Sequence, residues 1–280
     1  MLSEFEARRG IVEIGRRLWQ RGYVASNDGN ISVRLDADRI LVTPSGLSKG
    51  FLSQTDPVVV APDGRKLSGA LEPTSELPLH LAVYSRRREV TAVVHAHPPV
   101  ATGYAVARVP LGQCILPEVV LTLGSVPTAD YATPSTDAVV ESVARYIDDY
   151  SAILLANHGA LALGRTLDEA YFRMETIEHF AQIALTARQL GGASPLTPGE
   201  VQDLAEIRER LGVRVPEGSC VSCGACTPSS GSDSTAVGTS SSRSGVPLSD
   251  DGARSGAAGG DLDEALVQDV LAEIARRRSG

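Results

Sequence analysis

Between Thr227 and Gly260 the chain runs for 34 residues in which 17 are Ser or Gly and none is aromatic. Such a stretch buries too little apolar surface to offset the entropy of ordering it, and it reads as a flexible linker. It confines any large packed core to the residues before it. Three parts follow: a globular body over 1–217, a Cys-containing and then Gly/Ser-rich linker over 218–260, and a short amphipathic helix over 261–280. A body of that length buries a sizeable core. With 42% apolar and 21% charged residues, the whole is neither a disordered chain nor a coiled coil. A net charge of -8, from 34 acidic and 26 basic residues, leaves no basic footprint for nucleic acid. No apolar run approaches the roughly 18 residues of a membrane span. The opening MLSEFEARRG is broken by charges and is unlike a signal peptide. The expected setting is the cytoplasm, with no membrane partner.

Within the body, helical and extended patterns alternate. Ser3 and Glu6 form a capping box, followed by Phe5, Ile11, Ile14, Leu18 and Trp19 at helical spacing. Strands are expected at Ile31–Leu35, Ile40–Thr43, Val58–Ala61, a run ending in Val93–Val94, and Ala152–Ala156. Helices are expected after Pro73, carrying Leu77, Leu81 and Tyr84 on one stripe, after Pro99, over Thr136–Tyr150, and from Leu167 to Leu190. The mixture indicates an α/β body without fixing the strand order.

Five histidines are present, two of them in His95-Ala96-His97 at the end of an apolar strand. Residues i and i+2 of a strand share a face, so both imidazoles can converge on one ion. His158, in Asn157-His158-Gly159, also follows a buried strand. Two strand ends that each deliver His commonly build a three-ligand metal site with an open position. Read alone, the pair is equally a surface feature and His158 a turn residue. Thr74-Ser75-Glu76 opens a helix, where Glu76 is either a cap or a general base beside a metal. The turns Asp28-Gly29-Asn30 and Thr43-Pro44-Ser45-Gly46 offer N–H and hydroxyl donors to a phosphate. Neither a dinucleotide nor an NTP glycine motif is found.

In this order GNISVR, TPSG, TSE, HAH and NHG resemble the class II aldolase/adducin family, over roughly residues 3–217. The resemblance implies a three-layer αβα sandwich around a largely antiparallel sheet. It implies a C4 homotetramer with the site near a subunit interface, and one Zn²⁺ per subunit. His95, His97 and His158 match the metal ligands. Glu76 matches the base that touches the metal in the resting site. Asn30, Ser45, Gly46, Thr74 and Ser75 match the phosphate cradle. The implied reaction is cleavage of a ketose 1-phosphate, of fuculose or rhamnulose type, to dihydroxyacetone phosphate and an aldehyde. Lys49 and Lys66, the only lysines, lie in polar turns, and no Schiff base is required. Pentulose-5-phosphate 4-epimerases of the family usually carry Asp in place of Glu76, and other sugar-phosphate lyases share the His set. Adducin-type scaffolds lack the His set. The departures concern the proton donor to the aldehyde oxygen. Where fuculose-phosphate aldolases place Tyr, this chain has Cys114 and Glu118 in one loop and Leu211 near the C-terminal position. Tyr131 is taken as the catalytic candidate, with Tyr104 nearby.

Two features lie outside that pattern. Cys220, Cys223 and Cys226 form C-x2-C-x2-C without a fourth Cys, as either a second metal or cluster site or plain thiols. In Asp261–Arg278, Leu262, Leu266, Val270 and Ile274 recur every four residues beside Val267 and Leu271. This helix docks on its own body or on a partner. Behind a long linker it resembles the encapsulation peptides of bacterial microcompartments, which implies a shell or cargo protein as partner and the compartment lumen as location.

Overall fold

The computed structural model describes residues 2–210. The expected linker, the 261–280 helix, Leu211 and Cys220, Cys223 and Cys226 lie outside the described residues.

Helix α1 (Glu4–Gln20) starts at the expected capping box: the Ser3 hydroxyl accepts from the Glu6 N–H and the Glu6 carboxylate accepts from the Ser3 N–H. Its buried stripe is Ala7, Ile11, Ile14 and Leu18. Phe5 and Trp19, read with that stripe, are instead exposed, and Trp19 packs edge-on against Phe51. A helix of 17 residues carries more apolar positions than its one buried face takes up. The strands are β1 (Asn30–Arg34), β2 (Ile40–Val42), β3 (Val58–Val60), β4 (Lys66–Ser68), β5 (Ala92–Ala96), β6 (Thr128–Ala129), β7 (Ala152–Leu155) and β8 (Gly159–Gly164). They form one sheet in the order β4-β3-β2-β1-β5-β8-β7-β6. Every pairing is antiparallel except β6 with β7.

The remaining helices are α2 (Leu77–Arg86), α3 (Pro99–Ala107), α4 (Pro117–Thr122), α5 (Asp137–Ile147), α6 (Leu167–Gln189) and α7 (Pro198–Arg210). Side chains alternate along each strand between two apolar clusters. Ile31, Val33, Val94 and Leu154 join Ile11, Tyr104 and Phe180 of α1, α3 and α6. Val42, Val60, Val93 and Leu161 join Leu79, Val83 and Val143 of α2 and α5. Glu178, buried on α6, accepts from the N–H groups of Val100 and Ala101, and so caps α3 where the chain leaves His97. Among the described residues no helix is long and apolar enough to cross a membrane.

Candidate metal centre and substrate site

The strand directions bring the singled-out motifs to one end of the sheet. Asn30 starts β1 and pairs with His95 near the end of β5. Antiparallel to β1, β2 ends beside it, and the Thr43 N–H donates to the Ile31 carbonyl. Ala96 pairs with Ala160, so the β7–β8 turn carrying His158 meets the His95–His97 segment. Gly159 is required there, because a Cβ would come 2.5 Å from both the Ala96 carbonyl oxygen and a His97 ring carbon. The 72–76 loop is laced to the turn after β2: Ser45 N–H donates to the Glu72 carbonyl at 2.9 Å and Thr74 N–H to the Thr43 carbonyl at 3.1 Å.

The donor atoms of His95, His97 and His158 all lie within 4.8 Å of one another. His95 donates through Nδ1 to the Ala160 carbonyl at 3.0 Å, which leaves Nε2 as its free ligand atom. His97 turns Nδ1 toward Asp28 Oδ2 at 3.4 Å, and its Nε2 lies 3.2 Å from that of His95. Glu76 brings Oε1 to 2.8 Å from His158 Nε2 and Oε2 to 3.2 Å from His95 Nε2. Lone pairs and a carboxylate this close repel unless a proton or a cation lies among them. Three imidazoles with one adjoining carboxylate are a suitable set for a divalent ion, and the residues present fit one. Burial, together with His95 and His158, pushes the His97 pKa down to about 4, whereas at His95 burial is outweighed by the Glu76 carboxylate, which raises the pKa, so without a cation the cluster favours a proton on His95. Burial alone would raise the Glu76 carboxyl, but His95 and His158 outweigh it and hold it well below the usual carboxylate range. Glu76 occupies the N-cap of α2 yet makes no side-chain capping hydrogen bond, so the cap alternative does not describe it.

Behind Glu76 runs a buried chain of hydrogen bonds that the motifs did not disclose. The Asn30 amide donates to Glu76 Oε2 at 2.7 Å. Its carbonyl oxygen therefore faces His80 Nε2, at 2.5 Å, as acceptor. With Nε2–H donating, His80 Nδ1 accepts from the Ser32 hydroxyl at 2.6 Å, and Ser32 accepts from Tyr84 at 2.8 Å. Burial, reinforced by His95, pushes the His80 pKa down to about 3, and burial raises that of Tyr84, so both stay neutral. Both ends of the Asn30 amide are thus engaged, and the residue is 2% exposed. The structure ties Asn30 to Glu76 and does not leave its amide open to a phosphate. His80 and Tyr84 sit at i+4 and i+8 from Glu76 along α2, a spacing that would have signalled a shared helix face.

Ser45, Gly46 and Ser75 are exposed and Thr74 is buried around the laced turns. The Ser75 hydroxyl accepts from Ser135, on the loop that follows β6. Tyr131 is the second residue of that loop at 59% exposure, on the same sheet end because β6 runs parallel to β7. Cys114 is buried, Glu118 exposed, and Tyr104 buried in α3. Arg108, also unforeseen, donates to the Asn157 side chain at 2.5 Å, next to His158. It stands at the rim of a cavity of about 870 Å³ lined also by Gln113, Cys114, Thr128 and Asp130. Lys49 is not in a polar turn: its side chain is buried beneath the loops.

A sheet whose strand ends assemble three imidazoles and a carboxylate beside two laced turns defines a metal-site enzyme architecture. A family profile for the class II aldolase and adducin N-terminal domain matches residues 9–185, and the chain belongs to this family. It is 35% identical over 172 residues to the L-fuculose phosphate aldolase of Methanococcus maripaludis, covering 61% of this chain and 92% of the relative. It is 32% identical over 218 residues to the 3-oxo-tetronate 4-phosphate decarboxylase of Cupriavidus necator, covering 76% of this chain and all of that relative. Among solved structures, YgbL of Klebsiella pneumoniae, whose description leaves aldolase, epimerase and decarboxylase open, superposes with a TM-score of 0.68. The identity there is 32%, over 73% of this chain and 100% of that one.

Proposed function

We propose that this chain is a Zn²⁺-dependent lyase that breaks the bond between the α and β carbons of a sugar-phosphate ketone and releases dihydroxyacetone phosphate. The observation that carries the reading is the convergence of His95, His97, His158 and Glu76 next to the laced 43–46 and 72–76 turns. A divalent ion held by the three His residues supplies Lewis-acid stabilisation of the enediolate charge that bond cleavage leaves. Glu76, ionised and held at both oxygens, takes a proton from the carbon next to the ketone in the addition direction. Its conjugate acid returns that proton in cleavage. Asn30 and His80 fix the carboxylate for that transfer. Ser45, Gly46, Thr74 and Ser75 receive the phosphate. Tyr131 reaches the departing oxygen from the loop that Ser135 ties to Ser75.

A ketose 1-phosphate of fuculose or rhamnulose type is the first substrate class. Chain chemistry favours a second. An aldehyde leaves only after its hydroxyl proton is removed, whereas a 3-oxo acid loses CO2 with no proton transfer on the leaving fragment and yields the same enediolate. Where the family's aldolases place a Tyr, this chain has buried Cys114 and exposed Glu118, which suits a leaving group that needs no such partner. The quaternary reading is a homotetramer. Residues 261–278 are read as an address for a microcompartment shell or cargo protein, and Cys220, Cys223 and Cys226 as a separate thiolate site.

The test is release of dihydroxyacetone phosphate by the full-length, metal-replete protein. The substrates are fuculose 1-phosphate, rhamnulose 1-phosphate and 3-oxo-tetronate 4-phosphate. Aldehyde in equal yield supports the aldolase; CO2 in equal yield supports the decarboxylase. Release from none of the three would overturn the lyase reading.

A further inference from the structure

Lys49 is 2% exposed, at the start of a 3-10 turn (Lys49–Phe51) against which α1 packs its backbone at Gly15. Its Nζ donates to the carbonyl oxygens of Asn27 at 2.7 Å and Leu47 at 2.6 Å. These carbonyls satisfy hydrogen bonds but carry only partial charge. Among the described residues no carboxylate pairs with it directly; Asp28 and Glu76 act on it through space. A buried cation without a direct counter-ion is costly and is rarely kept for packing alone. The two carbonyls belong to different turns, one leading into Asn30 and one leaving Ser45-Gly46. Both turns depend on a left-handed glycine, Gly29 with φ 70° and Gly46 with φ 75°, and a Cβ on Gly46 would meet nothing within 4 Å. The ammonium thus joins two turns from beneath, the Gly29 turn packed against Val24 and His95 and the Gly46 turn open, and leaves the floor of the open turn positive.

We propose that Lys49 is the buried cation of the substrate's phosphate subsite. It holds the 26–30 and 44–48 turns at a fixed spacing, and the dianion of a phosphate monoester seated on the Ser45-Gly46 turn supplies its counter-charge. Burial pushes the Lys49 amine down to about 8, so it still carries a proton at neutral pH. The inference rests on the reading that substrate docks its phosphate at the Ser45-Gly46 turn.

Lys49 and Lys66 are the only lysines in the chain, so labelling lysine with ¹³C at Cε gives two resonances in the full-length protein. Lys66, paired with Glu72 at 2.6 Å, is the internal reference. With the metal site filled, inorganic phosphate is expected to shift the Lys49 signal saturably and to leave Lys66 unmoved. Lys49→Met is expected to lower phosphate affinity in calorimetry by about 10- to 100-fold, the range of one charge-assisted contact, with metal content unchanged. A folded Lys49→Met protein with wild-type phosphate affinity would overturn the proposal. So would an unmoved Lys49 resonance under saturating phosphate, which decides the matter if the variant does not fold. No phosphate binding by the wild type in calorimetry would remove the docking reading itself, and this inference with it.

Discussion

Replacing His80 by Leu separates the positioning of Glu76 from its chemistry. Leucine fills a similar volume but withdraws the Nε2–H that fixes the Asn30 carbonyl and the Nδ1 that receives Ser32. Ser32 can turn its proton to Tyr84, so the uncompensated group is the Asn30 oxygen, with partial loss at Ser32. One to two orphaned buried groups cost about 2–4 kcal/mol. In a body of this size that lowers Tm by roughly 4–16 °C. The freed amide no longer holds Glu76, and kcat is expected to fall about 10- to 100-fold while KM changes little, since His80 touches no substrate. His80→Gln, which can place an N–H near Nε2, is expected to restore most of kcat. The pH dependence has a definite sign. Below the ordinary value of 6.5 the unfolded chain takes up a proton that folded His80 refuses until about 3. Each unit of acidification inside that window then costs the wild type about 1.4 kcal/mol that His80→Gln does not lose. Denaturant unfolding at a series of pH values reads this slope, and a coupled assay for dihydroxyacetone phosphate reads kcat. Unchanged kcat in a folded His80→Leu protein would refute the positioning argument.

Glu76→Gln keeps shape but cannot carry the proton, and turnover is expected to fall by about 10²–10⁴ with folding preserved; near-wild-type turnover would return Glu76 to a structural role. Tyr131→Phe is expected to slow release from an aldehyde-yielding ketose phosphate and to spare release from a 3-oxo acid, and equal rates on both would remove Tyr131 from the chemistry. Residues 227–280 fused to an unrelated reporter are expected to send it into microcompartments in a host that makes them. Leu266→Asp with Val270→Asp is expected to leave the reporter diffuse, since each buried charge costs about 2 kcal/mol or more. A diffuse unmodified fusion would contradict the address reading.

The parts of the site that follow from strand periodicity were legible in the sequence. HAH at a strand end predicts two imidazoles on one face; β5 delivers His95, and His97 follows one residue past its end with Nε2 3.2 Å from that of His95. The meeting of NHG with that pair was not, because it depends on β5 lying beside β8, a non-local pairing that no local spacing encodes. Strands β4, β6 and β8 and helices α4 and α7 escaped notice. Lys66–Ser68 and Thr128–Ala129 are too short to show a period, and GALALG is poor in the β-branched residues that mark a strand. Lys49 and His80 were hidden for another reason. A lysine among Gly and Ser reads as solvated, and only the packing of α1 and the two turns shows it buried. His80 looked like one polar residue on a helix until Asn30 and Ser32, 50 and 48 residues away, met it across the sheet.

The most direct measurement titrates Zn²⁺ into metal-stripped protein and follows metal binding and dihydroxyacetone phosphate release together. The background is Cys220→Ser, Cys223→Ser and Cys226→Ser, so that only the histidine site is counted. Activity is expected to rise from near zero and to reach its plateau at about one equivalent per chain, with His158→Ala losing both binding and turnover. Full turnover by the stripped protein, or a His158→Ala variant that binds metal and turns over like its parent, would contradict the account.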